Sequence, residues 1–305
     1  IATSAKRNSI EREKDRSYKF EVEYFFEGRF PAIHFGCMPP EKVNLLEEAV
    51  EVAKNADAVI LVVGTNSDWE TEGNDRADLS LPANQDQLIE NILKENENTV
   101  VVLNSGSPVS MPWLDESKAV LQSWFGGQEY GNSLADLVFG RVNPSGKLPT
   151  TFPVKIEDTP AFAYYPGKNS QMDYEEKLLV GHRWYEKKNI KPLFPFGFGL
   201  SYTNFSFSNL ELNKKDGYNI DCKFKLKNLG KMDGSEVAQC YVSFSDATKD
   251  EPIKSLQSFK KVFIKKDNEV DVKLSLNKRN FSYWDIEKKD WVVKSGKYTI
   301  SIGSS

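Results

Sequence analysis

Histidine and cysteine are scarce in this chain: two and three residues of 305. Cys37, Cys222 and Cys240 lie far apart and form no CxxC-type metal pattern, and an odd number argues against a disulfide framework. Cys222 and Cys240 could pair if the fold brings them together, but they read as two buried thiols. His34 and His182 read as packed or surface side chains. With so few histidines a Ser/His/Asp triad has little support, and "GSPVS" (106–110) is not a nucleophile elbow. No apolar run approaches the roughly 20 residues of a membrane-spanning helix. No GxGxxG follows the first apolar run and no Walker A loop occurs, which disfavours a nucleotide binder. There is no basic surplus; the net charge of −4 favours neither nucleic acid nor an anionic membrane as partner. The opening "IATSAKRNSIEREKDRS" is too charged for a signal peptide, and its first residue is Ile1, so processing or a longer parent protein is expected. Localisation stays open between secreted and cytoplasmic.

The composition, 39% hydrophobic and 28% charged, is globular, and the length suggests two domains. "YKFEVEYFFEG" alternates as an amphipathic strand, with "PAIHFGCMPP" as a second. Two strands cannot fold alone, so this head must pack on something else. From residue 41 the period becomes helical, with Val43, Leu46, Val50 and Ala53 on one face. The apolar run 58–64 then suits a parallel strand covered on both faces. Helix 84–96, strands 99–104 and 119–124 and helix 131–140 continue the pattern. This is α/β with a parallel sheet, whose ligands bind beyond the carboxyl ends of the strands. The loop after Val63, Asn104-Ser105-Gly106 and Phe125-Gly126-Gly127 all lie on that edge. Residues 141–200 are irregular and rich in Pro, Gly and aromatics. Beyond 202, about seven short alternating strands predict an antiparallel β-sandwich.

The stretch "VVGTNSDWETEGNDRADLSLP" (62–82) places Asp68, Glu70, Glu72, Asp75 and Asp78 beside Trp69 and Arg76. Glycosidic cleavage needs a carboxyl that can be protonated near neutral pH and a second carboxylate as nucleophile or base. An aromatic neighbour excludes water and can stack on a sugar face. From these residues alone, a solvated acidic loop remains the commoner reading.

"SWFGGQEYGNSLADLVFGRVNPSGKLPTTFP" (123–153) and "PLFPFGFGLSYTNF" (192–205) resemble two signatures of the C-terminal half of glycoside hydrolase family 3, which includes β-glucosidases. "SDWETEGNDRADLSLP" resembles the acid/base loop of that family, and "LLVGHRWYEKKNIKPLFPFG" its connection into the last domain. The tail from "NLGKMDGSEVAQCYVSF" onward is similar to its fibronectin type III-like domain. The head resembles the last strands of a protective-antigen-type β-sandwich inserted in one branch. The glycines and prolines read as structural: Gly126-Gly127 for a sharp turn, "PFGFGLSY" for a wedge between two domains.

The resemblance implies an insert remnant over 1–40, the distal part of the α/β domain over 41–165, a linker over 166–200 and the fibronectin type III-like domain over 201–305. It implies a retaining mechanism in which an aspartate of an N-terminal (β/α)₈ barrel attacks the anomeric carbon and a glutamate of the α/β domain protonates the leaving oxygen. That glutamate would be Glu70, because Glu70-Thr71-Glu72-Gly73-Asn74 fits a family pattern of an acid a short spacer before a Gly-Asp/Asn element. Glu72 stands as the alternative, directly before Gly73. Trp69 and Asp68 would contact the sugar, while Asp75 and Arg76 would brace the loop. The substrate would be a β-glucoside or short oligosaccharide, with no metal or organic cofactor. The missing barrel, on the same parent chain or a partner, would carry the nucleophile, leaving this chain inactive alone. The competing reading is a non-catalytic module that binds glycan or protein.

Overall fold

The computed structural model describes residues 16–25, 36, 44–73, 75–169 and 171–304. His34, Cys37, Val43 and the expected second strand of the head lie outside these residues. Residues 16–25 are exposed and carry no regular secondary structure, although their alternation predicts a strand. Alternation nominates a strand without fixing its pairing.

Helix α1 (Leu45–Lys54) begins at Asn44, whose side chain accepts from the Leu46 and Glu47 backbone N–H groups. This satisfies two of the donors that every helix start leaves unpaired. Strand β1 (Val59–Gly64) follows, then α2 (Gln85–Glu95), β2 (Thr99–Asn104), β3 (Ala119–Gln122) and α3 (Tyr130–Val138). The three strands are parallel in the order β1-β2-β3, with Val63 opposite Leu103 and Val101 opposite Val120. Ile89, Ile92 and Leu93 recur at helical spacing and form the buried stripe of α2. Ile89 and Leu93 pack with Val63, Val101, Leu103 and Trp113 into one core. The Trp113 indole donates to Asp86 of α2 at 2.9 Å. Asn96 then ties the two helices together by donating to the carbonyls of Ala53 and Ala56.

Part of this layer is open. Ile60 and Val62 of β1 are about half exposed, and Leu45 and Val52 of α1 are exposed more fully. Parallel strands are ordinarily covered on both faces. The apolar content of β1 therefore exceeds what the described residues bury.

Helix α4 (His182–Lys188) interrupts the stretch expected to be irregular. Strands β4 (Phe205–Lys214), β5 (Ile220–Asn228), β6 (Gly234–Phe244), β7 (Lys254–Ile264) and β8 (Glu269–Leu276) follow, then the hairpin β9 (Ser282–Asp285)–β10 (Asp290–Val293), and β11 (Tyr298–Gly303). Two antiparallel sheets, β11-β6-β7 and β4-β5-β8, enclose a core containing Phe224, Leu226, Ala238, Val242, Ile264 and Leu276. Cys222 on β5 and Cys240 on β6 are buried free thiols, as expected from the sequence.

A polar seam joins the layers. Lys147 pairs with Glu236 at 2.9 Å, both nearly buried, and also donates to the Gly199 carbonyl. Asn143 accepts from Ser201 and from the Tyr202 N–H, and donates to the Asp233 carbonyl. Phe194 packs on Phe152 and Phe198. A side chain at Gly199 would collide with the Gly146 carbonyl, so the "FGFGLSY" wedge requires glycine there. Among the described residues, no helix is long and apolar enough to cross a membrane.

Candidate functional site

The acidic loop leaves the carboxyl end of β1. Gly64 is held in place by Gln85, whose side chain accepts from its N–H and donates to its carbonyl. Thr65 continues the parallel ladder by donating to the Asn104 carbonyl at 3.1 Å. The chain then makes one tight turn, in which the Trp69 and Glu70 N–H groups both donate to the Asn66 carbonyl. The Asn66 side chain accepts from the Asp68 N–H. This turn swings Glu70 back over the strand ends.

There the Glu70 carboxyl is anchored by one oxygen. Oε1 accepts from the Thr65 hydroxyl at 2.5 Å and from the Gly106 N–H at 3.0 Å, the latter 36 residues away on the loop after β2. Hydrogen bonds to a charged acceptor are the short, strong ones. Oε2 accepts none among the described residues. It lies so close to Gly106 that a Cβ there would meet it at 2.5 Å and the Phe125 ring at 2.7 Å. A side chain at Gly106 would therefore displace the ends of the Glu70 and Phe125 side chains. The three loops following β1, β2 and β3 converge on this carboxyl, which matches the edge expected for ligand chemistry in such a sheet.

Arg76 closes the loop from behind. It donates to the Ser107 hydroxyl at 2.8 Å and the Pro108 carbonyl at 3.2 Å, and reaches the Ser80 carbonyl. Burial holds its pKa below the ordinary arginine value, opposed by the charges of Glu70 and Asp78. The Asp75 carboxylate raises the pKa of the neighbouring Tyr165 hydroxyl. The Arg76 contacts tie the acidic loop to the loop after β2. Leu81, buried in the core, pins the end of the loop.

Trp69 is half-buried, with an indole N–H that has no partner among the described residues. Asp68 is exposed beside it. Glu72 is exposed as well, and none of the described hydrogen bonds reaches its carboxylate. The structure thus gathers Glu70, Thr65 and Gly106 and leaves Glu72 outside the group. Gly106 lay in a loop the sequence places on the functional edge, but Thr65 carried no signal of its own. No group of three or more His, Cys, Asp or Glu side chains among the described residues is arranged to hold a metal ion.

Comparison with known proteins follows the same lines. Residues 5–202 match the glycosyl hydrolase family 3 C-terminal domain, and 236–305 match a fibronectin type III-like domain. A thermostable β-glucosidase B of Acetivibrio thermocellus is 45% identical over 86% of this chain and 35% of its own length. The crystal structure of a β-glucosidase from Kluyveromyces marxianus in complex with glucose superposes with a TM-score of 0.81 at 39% identity, covering 85% of this chain and 32% of that one. A family 3 β-glucosidase from Bifidobacterium adolescentis gives 0.83 at 39%, covering 88% and 40%. The chain therefore spans 32–40% of the length of these relatives. With the family model covering most of it, the chain belongs to glycoside hydrolase family 3 and corresponds to its C-terminal part.

Proposed function

We propose that this chain supplies the general acid/base loop of a retaining β-glucosidase that releases terminal non-reducing β-D-glucosyl residues. The nucleophile stands on a barrel outside residues 1–305. In this reading residues 41–165 form the α/β domain, 166–200 the linker, 201–305 the fibronectin type III-like domain and 1–40 a remnant of an inserted sandwich. Glu70 is the acid/base. The observation that carries this choice is the anchoring of its Oε1 by Thr65 and Gly106 at the carboxyl edge of the sheet, with Glu72 held by nothing comparable among the described residues.

The chemistry follows from that anchoring. A carboxyl fixed through one oxygen presents the other in a defined direction, as proton transfer to a leaving oxygen requires. After the aglycone departs, the same oxygen takes a proton from the incoming water. Retention needs a second carboxylate about 5–5.5 Å away, to be supplied by the barrel. Trp69 and Asp68 flank the acid and would contact the glucosyl ring or its leaving group.

The test compares aryl β-glucoside hydrolysis by the 305-residue chain and by the full-length gene product. Activity confined to the full-length protein is the expected result. Turnover by residues 1–305 alone would refute the division of labour and require a second carboxylate within them.

A further inference from the structure

A second cluster of chemistry lies between α4 and the sandwich and shares no residue with the Glu70 loop. A cavity of about 370 Å³ opens there, within the range of roughly 300–1,000 Å³ usual for small-molecule sites. Helix α4 turns His182, Tyr185 and Glu186 toward it from one face, the i, i+3, i+4 spacing that aligns side chains along a helix. Thr151 borders it on one side, Tyr241 and Lys254 of the sandwich on the other. His182 stacks on Phe196 at 4.7 Å and meets Tyr241 edge-on. These rings form the aromatic side of the site.

Its polar side is incomplete. Thr151 is 6% exposed, and its Oγ1 has no hydrogen-bond partner. His182 Nε2 and Glu186 Oε2 share that condition; of the six such orphaned side-chain atoms among the described residues, three border this one cavity. Buried polar atoms are ordinarily paired, so a cluster of unpaired ones points to a partner from outside the chain. The other carboxylate oxygen of Glu186 is taken by Lys254 at 3.1 Å. Burial, then Arg183 and Lys254, push the His182 pKa down to about 4, so at neutral pH the ring offers a donor or an acceptor without charge.

The charges then select the ligand class. An anion would meet the open oxygen of Glu186, and a cation would meet Lys254 and Lys191, which also line the cavity. A neutral molecule with several hydroxyls satisfies all three orphans: one hydroxyl donates to the carboxylate, and others exchange hydrogen bonds with the threonine and the imidazole. We propose that this cavity binds a neutral polyhydroxylated molecule of monosaccharide size, clasped between α4 and the sandwich.

The scarcity of histidine makes the test direct. With ¹⁵N-labelled histidine, the imidazole of His182 is one of only two in the chain. Titration of the intact chain with D-glucose should move the His182 Nε2 resonance saturably. Glu186→Gln and Thr151→Val should each weaken the apparent affinity at least tenfold while the amide spectrum stays folded; Glu70→Ala should leave it unchanged. D-Glucuronate and D-glucosamine should bind at least tenfold more weakly than glucose. The proposal is overturned if no saturable shift occurs with glucose, if the charged sugars act equally well, or if the shift survives both cavity variants. It is overturned equally if the shift is lost in Glu70→Ala alone, which would assign the sugar to the acidic loop.

Discussion

Asn228 offers the most quantitative test of how the sandwich is held to the seam beside it. It is fully buried at the end of β5, and its amide makes four hydrogen bonds. Oδ1 accepts from the Thr203 hydroxyl at 2.6 Å and the Gly230 N–H at 3.1 Å; Nδ2 donates to the carbonyls of Met232 at 2.8 Å and Ile264 at 3.2 Å. Asn228→Ala removes all four and leaves the buried Thr203 hydroxyl and Ile264 carbonyl without them. At about 1 kcal/mol each the loss is about 4 kcal/mol, a large share of the roughly 5–15 kcal/mol that stabilises a domain. For a sandwich of about 100 residues unfolding in its own transition, this lowers Tm by about 15–30 °C. Calorimetry and urea denaturation of the two proteins measure it. Asn228→Asp sharpens the test, because a carboxylate would face the Met232 and Ile264 carbonyls and hold its proton more tightly than in the unfolded chain. Native protein then keeps a proton that unfolded protein releases, so stability must fall as pH rises above about 4. A cost below about 1 kcal/mol for Asn228→Ala, or stability of the Asp variant that rises with pH in that window, would refute the reasoning.

Gly106→Ala forces a methyl group against Glu70 Oε2 and the Phe125 ring. In the full-length enzyme it should lower kcat/KM about 100-fold, the scale of an ångström misplacement, with circular dichroism unchanged; unaltered activity would mean that the Glu70 position does not matter. His182, with its pKa pushed down to about 4, takes up a proton less readily folded than unfolded. Its contribution to stability is therefore complete above about pH 6.5 and lost as pH falls toward 4. Urea titrations across that range should show a shallower pH dependence in His182→Gln, and an identical dependence would contradict the burial of the ring.

The strands β1, β2 and β3 and helix α2 were legible because a covered parallel sheet writes itself as continuous apolar runs and a packed helix as a 3.6 period. The sandwich strands were legible from alternation. Tyr18, Phe20, Val22 and Tyr24 alternate in the same way, but residues 16–25 are not assigned to a strand. Helix α4 escaped because its seven residues lie in a stretch dominated by Pro, Gly and aromatics, and its face becomes recognisable only once the sandwich supplies Tyr241 and Lys254. In the acidic loop, residue types alone could not separate Glu70 from four neighbouring acids. The distinction rests on the Thr65 hydroxyl and on the Gly106 N–H, and the second is a contact no local pattern encodes.

The account turns on Glu70, and chemical rescue tests it most directly. Glu70→Ala and Glu72→Ala variants of the full-length protein would be assayed on an activated aryl β-glucoside with and without azide. The account predicts that Glu70→Ala loses about 10²–10⁴-fold in turnover, that azide restores it with formation of β-glucosyl azide, and that Glu72→Ala stays near wild type. Rescue of Glu72→Ala with Glu70→Ala near wild type would contradict it and move the acid/base to Glu72.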